Sequence, residues 1–204
     1  MKRIFLVGNG PSLQNTPLEL LAGVDTMAMN AIDLIYPQTT WRPTYYLCID
    51  VNENDTHWRQ AIRSNMDCKR LFLWEGFNIT ADNVEQIKRC KKHHFYAFDN
   101  TKGAKEWHLP DLCTAYGSMS TMMQLAVNMG YEEIYLVGCD GFSDGRNHFT
   151  EKYPHYCRWQ GREEINNYLH GMAKRCSPVP IYNATVGGHL EIHPRVDIRK
   201  VLSG

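Results

Sequence analysis

The chain has 204 residues with 22 basic and 22 acidic side chains, so its formal charge at neutral pH is zero and no global field draws it to nucleic acid or an anionic membrane. No apolar run approaches the roughly 18–20 residues of a membrane span, and no secretory h-region opens the sequence, so a cytoplasmic protein without a membrane span is expected. The 43% hydrophobic and 22% charged composition suits one globular domain with a sizeable core, and seven scattered cysteines without a CxxC argue against a disulfide framework and a zinc site.

In chain order, Ile4-Phe5-Leu6-Val7 is a short apolar run closed by Gly8-Asn9-Gly10-Pro11-Ser12, which reads as a buried strand entering a sharp turn. Without side chains at Gly8 and Gly10, backbone N–H groups are able to approach an anion closely. Asn9 and Ser12 add polar groups, Ser12 as a cap for the next helix or as a phosphate contact. The turn matches neither GxGxxG nor GxxxxGK[ST], so on its own it is as much an ordinary turn as a phosphate cradle. A short helix over Pro17–Ala22 follows Thr16. Strands are expected at Thr26–Met29, Tyr45–Ile49, Leu71–Trp74 and Phe95–Phe98, with helices near Asp55–Ser64 and Ala81–Cys90. That alternation predicts a mostly parallel sheet flanked by helices.

Asn100–Tyr116 reads as a loop. Ser118–Met129 is a helix whose Met119, Met122, Met123 and Ala126 recur at helical spacing, a core stripe rather than a cofactor box. Gly130 ends it, and Glu133–Val137 is the next strand, closing in Gly138-Cys139-Asp140-Gly141-Phe142. Asp144–Gln160 is long and irregular and crowded with His, Tyr, Phe, Arg and Trp, which marks a lid or substrate loop spanning about 143–160. Arg162–Arg175 is an amphipathic helix, Val179–Tyr182 the last strand and Asn183–His193 a turn. Two basic clusters, Lys88–His94 and Arg195 with Arg199-Lys200, read as solvated faces. No repeat or linker divides the chain.

Polar residues stand at the carboxyl ends of most of these strands: Asn9, Asn30, Asp50, Asp140 and Asn183. In open α/β sheets those ends converge where ligands bind. Ser118 opens its helix, where free N–H groups and the helix dipole favour a phosphate, and so supplies a second half-site. Asp50, Asp140 and Asp144 could gather around a divalent cation, but Asp50-Val51-Asn52 is the nearest approach to a DxD pair and the metal reading is the weaker one.

The ordered set Gly8-Asn9-Gly10-Pro11-Ser12-Leu13, Asn30, Gly117-Ser118, Gly130-Tyr131-Glu132-Glu133-Ile134-Tyr135-Leu136 and Gly138-Cys139-Asp140 resembles the bacterial lipooligosaccharide sialyltransferases. Those enzymes use CMP-sialic acid on a Rossmann-like sheet without a metal. The resemblance runs in order through roughly the first 150 residues and loosens afterwards. The ending Asn183-Ala184-Thr185-Val186-Gly187-Gly188 with Pro194-Arg195-Val196 looks more like proteins described as 6-hydroxymethylpterin diphosphokinase-like.

The first resemblance implies a Rossmann-like α/β fold and a glycosyltransferase. It would move a sugar from a nucleotide-activated donor, a CMP-sugar, to a hydroxyl of a glycan or of a hydroxylated DNA base, with inversion and no cofactor. Gly8, Asn9, Gly10 and Ser12 would hold the donor phosphate together with Ser118. Asn30 would meet the ribose or base, Gly138 and Asp140 would line the nucleotide pocket, and Asp50 stands where the family carries Asn. Phe142 replaces a tyrosine that helps the departing phosphate. His155-Tyr156 falls at the family's His-Tyr pair, but the family's base position is Trp159 here. That leaves His155 or His148 to take the acceptor proton, unless the mechanism differs; His155 is favoured, because a shift of one helical turn would carry its ring there. The second resemblance implies an alternative, an ATP- and magnesium-dependent diphosphokinase, and a silent nucleotide-binding module is a third reading.

Overall fold

The computed structural model describes residues 1–49, 56–74, 87–93, 111–113, 117–141, 145–153 and 162–204. Among these, eight strands form one sheet: β1 (Arg3–Val7), β2 (Thr26–Met29), β3 (Tyr45–Cys48), β4 (Arg70–Trp74), β5 (Ile87–His93), β6 (Asp111–Cys113), β7 (Glu133–Val137) and β8 (Ile181–Asn183). Their spatial order is β6-β5-β4-β3-β2-β1-β7-β8, and every pairing is parallel. The fold is therefore the expected Rossmann-like α/β sheet.

Parallel strands covered on both faces read as continuous apolar runs, and β1 shows why. Phe5 and Val7 point to one face, into a core shared with Ala28, Tyr46, Leu71 and Tyr135. That face is closed by α1 (Thr56–Ser64), through Trp58, Ala61 and Ile62, and by Ile198 of α4 (Ile198–Ser203). Ile4 and Leu6 point to the other face with Met27, Leu47, Phe72 and Leu136. There α2 (Gly117–Asn128) brings Met122, Met123, Leu125 and Ala126, and α3 (Arg162–Cys176) brings Ala173. The methionine stripe is thus core packing, as its spacing suggests.

Some local expectations give way to pairing. Ile87–Cys90 closes the stretch read as a helix over Ala81–Cys90, yet it is strand, in register with Leu71–Trp74 of β4. Pairing within the sheet outweighs a weak helical period there. Asp111–Cys113, inside the expected loop, is the short β6. Asn30–Gln38 winds as a 3-10 helix and Ile198–Ser203 as the α-helix α4, neither anticipated from the sequence; Asp197 caps α4 by accepting from the Arg199 N–H at 2.8 Å. The helix expected over Pro17–Ala22 is a 3-10 turn at Leu18–Leu21. The strand expected at Phe95–Phe98 lies outside the described residues. Among the described residues, no helix is long and apolar enough to cross a membrane.

The order of the strands fixes where a ligand belongs. From β1 the chain builds outward through β2 to β6, then returns to place β7 on the opposite side of β1. The crevice at the carboxyl ends of β1 and β7 is thus a topological switch point.

Candidate functional site

A cavity of about 400 Å³ opens at that switch point, lined by the tips of β1, β2 and β7, the first turn of α2, residues of 146–153 and one face of α3. Gly8 and Gly10 do not offer their N–H groups to it as the sequence suggests. The Gly8 N–H donates to Val137 O at 2.7 Å, that of Gly10 to Gly138 O at 2.9 Å and that of Ser12 to the Asp140 carboxylate at 3.1 Å. The glycines serve the approach of two backbones: a Cβ on Gly10 would lie 2.1 Å from Asp140 Oδ2, and one on Gly138 would lie 2.8 Å from Gly8 O.

Asp140 acts from within this junction. Its carboxylate also accepts the Ser12 hydroxyl proton at 2.8 Å, so Ser12 faces Asp140 and is not among the residues lining the cavity. Burial pushes the Asp140 carboxyl above its usual range, against the pull of the Ser12 hydrogen bonds and of Arg146 and Arg195. Asn183 is likewise spent on the fold: its Nδ2 donates to Leu190 O at 2.8 Å and its Oδ1 accepts from the Thr185 N–H at 3.0 Å.

What remains for a ligand is a polar trio. Asn9 donates from Nδ2 to Met29 O at 3.0 Å and to the Tyr153 hydroxyl at 3.1 Å, while its Oδ1 is buried with no partner. Asn30 sits at φ 50°, a left-handed conformation that asparagine tolerates better than most residues. Its carbonyl accepts from the Tyr46 hydroxyl at 2.6 Å, its Nδ2 donates to Ser118 Oγ at 3.2 Å, and its Oδ1 too is buried without a partner. Asn9, Asn30 and the N-terminal turn of α2 thus line one cavity, and the two amide oxygens, buried without partners, are acceptors that call for a donor.

The described part of the expected lid lies against this trio. The Phe149 N–H donates to Asn9 O at 2.9 Å, and His148 stacks on Tyr153 with centroids 3.6 Å apart. Arg146, Asn147 and His148 line the cavity. Asp50, Phe142, Asp144, His155, Tyr156 and Trp159 lie outside the described residues. Among the described residues no three His, Cys, Asp or Glu side chains gather to hold a metal ion.

The sequence reading missed the far wall. Asn166, Leu169, His170 and Ala173 line the cavity from α3. Their spacing of i, i+3, i+4 and i+7 is the signal that could have found them, one helix face carrying two polar groups among apolar ones. His170 Nδ1 lies 3.1 Å from Nε2 of the fully buried His193. Burial holds His170 down to about 4 and His193 down to about 3.

That shift has a measurable consequence. Between the ordinary histidine value near 6.5 and about 4, the unfolded chain takes up protons at these two rings and the folded chain does not. Stability conferred by the neutral pair is therefore complete above about 6.5 and is lost progressively as the pH drops toward about 4. Asp140 works in the opposite sense, so the useful quantity is the difference between variants. Urea titrations should show a shallower pH slope in His193→Gln than in the native chain, and equal slopes would refute the assignment.

Fold and cavity together define a class: a Rossmann-like α/β architecture with its crevice at the topological switch point, a fold that glycosyltransferases of known structure share. No family model matches the sequence, and a search of curated proteins finds no match. Two solved structures carry the likeness. One is the sialyltransferase CstII from Campylobacter jejuni, solved in complex with a substrate analogue, cytidine-5'-monophosphate: TM-score 0.61 at 15% identity, covering 97% of this chain and 86% of that one. The other is the MAf glycosyltransferase from Magnetospirillum magneticum AMB-1: TM-score 0.60 at 13% identity, covering 97% of this chain and 34% of that one. The chain thus spans about a third of the MAf protein's length. The structural similarity to a sialyltransferase that the motifs suggest is present in the fold.

Proposed function

We propose that this chain transfers a sugar from a nucleotide-activated donor, a CMP-sugar, to a hydroxyl acceptor, with inversion and without a metal ion. The observation that carries the reading is the convergence of Asn9, Asn30 and Ser118 on one cavity at the switch point, with two buried acceptor atoms unpaired. The complex of CstII with cytidine-5'-monophosphate supports a cytidine nucleotide as the donor's leaving group.

In this reading the donor phosphate lies at the α2 N-terminus by Ser118, where helix N–H groups and dipole favour negative charge. Asn9 and Asn30 accept hydrogen bonds from the nucleoside through their free Oδ1 atoms. The acceptor oxygen attacks the anomeric carbon, the bond from that carbon to the phosphate oxygen breaks, and its electron pair leaves with CMP. The acceptor proton passes to a histidine of the 145–160 segment. His148 lines the cavity and is the base we assign among the described residues; His155, beside Tyr156, is its competitor.

Calorimetry tests the reading. CMP is expected to bind in EDTA, whereas UDP, GDP and ATP bind more weakly. Ser118→Ala should lose about 1.5–3 kcal/mol of CMP affinity, the worth of a hydrogen bond to a charged group, and Asn9→Ala about 0.5–1.5 kcal/mol, that of a neutral one. Binding of ATP alone, and only with magnesium, would replace the transferase by a diphosphokinase. CMP affinity unchanged in both variants would move the cradle elsewhere.

A further inference from the structure

The pair His170–His193 has no part in the reaction drawn above. His170 lines the cavity from α3, and its Nδ1 is occupied by His193 at 3.1 Å, the rings crossing edge to face at 76°. Nε2 is then the one ring nitrogen of His170 left to act on a ligand. His193 is fully buried, and its own Nδ1 has no partner among the described residues.

The groups beside the pair and across the cavity from it are few. Lys174, on α3 itself, is tied by its ammonium to Ile192 O at 2.7 Å. From α2 come Met119, Ser120 and Met123, none of them titratable; the 146–153 stretch brings Arg146 and His148, and the β7 tip brings Asp140. No carboxylate among the described residues bonds either ring, so nothing there favours an imidazolium.

Two neutral imidazoles joined by one hydrogen bond have two arrangements. If His170 donates from Nδ1, His193 must carry its own proton on Nδ1, a buried N–H with no acceptor. If His193 donates from Nε2 instead, its buried Nδ1 is a bare lone pair, the less costly of the two because orphaned buried N–H groups are the rarer case. The second arrangement puts the proton of His170 on Nε2.

We propose that His193 locks His170 as a neutral Nε2–H imidazole, which donates a hydrogen bond to an anionic oxygen of the ligand in the cavity. The proposal rests on the nucleotide reading only for the identity of that oxygen, a phosphate or carboxylate of the donor. It gives His170 a role opposite to that of a base, since Nε2 holds a proton and offers no lone pair. The low ranges of both rings keep the pair neutral at pH 7, so the free chain buries no charge there.

Long-range ¹H–¹⁵N spectra of the labelled native chain at pH 7 test the proposal directly. His170 is expected with Nε2 protonated and Nδ1 bare, and its Nε2–H resonance should move downfield as CMP or inorganic phosphate is added. A His170 protonated on Nδ1, or on both nitrogens, overturns the proposal, as does an Nε2–H that neither CMP nor phosphate moves. Movement with phosphate while CMP does not bind removes the nucleotide reading and keeps the donor role. His170→Ala should weaken CMP binding roughly tenfold to a hundredfold, and His170→Gln, which keeps an N–H, should recover part of that loss. Equal affinities in native chain, Ala and Gln variants likewise overturn it.

Discussion

Gly10→Ala is expected to destabilise the chain by roughly 3 kcal/mol and to abolish CMP binding with it. The added Cβ would meet Asp140 Oδ2 at 2.1 Å and Gly138 O at 2.7 Å, closer than any side chain sits. Asp140 cannot yield, because moving it strands the buried Ser12 N–H and hydroxyl it accepts from. Gly138→Ala should be as costly, since φ 66° strains any side chain and its Cβ would press on Gly8 O at 2.8 Å. Gly130→Ala is the control: φ is 75°, but nothing lies within 4 Å of the new Cβ, so it carries only the backbone cost of roughly 1–2 kcal/mol. Denaturant midpoints read all three. If Gly10→Ala and Gly130→Ala cost the same, the β1–β7 junction is looser than the contacts imply.

The other large effect concerns turnover. Removing the histidine base should lower turnover about 10²- to 10⁴-fold with CMP affinity nearly unchanged. His148→Ala is expected to show it, because His148 lines the cavity and its ring is fixed against Tyr153, which in turn accepts from Asn9. The paired variant His155→Ala separates two outcomes. Loss in His155→Ala with full turnover in His148→Ala transfers the base and keeps the chemistry. Full turnover in both removes histidine base catalysis.

Strands were legible in the sequence where both faces of the sheet are covered. Ile4–Val7 and Glu133–Val137 are apolar runs because β1 and β7 are buried on both sides, and turn residues bound them. The strands toward the edge were not: Ile87–His93 is largely polar, and only its pairing with β4 and β6 makes it a strand. Asn9, Asn30 and Ser118 could be nominated from their places at strand and helix ends. What the sequence could not say is which polar groups the fold would consume. Ser12 and Asn183 look like ligands in a list of residues, but their hydrogen bonds are spent on Asp140 and on the loop before Leu190. His170 was hidden for the opposite reason, since its partner His193 is 23 positions away and no local pattern joins them.

The clasp between Ser12 and Asp140 spans 128 positions of sequence. Until the ribosome has delivered β7, β1 can pair only with β2, and Phe5, Leu6 and Val7 present an open, apolar strand edge, the commonest template for pairing with another chain. Closing a loop of that length is slow relative to local helix formation, so the cavity at the switch point is among the last parts of the molecule to exist. The nascent chain therefore spends most of its synthesis with its most aggregation-prone strand unguarded, and the binding cavity comes into being in the same event that buries that edge.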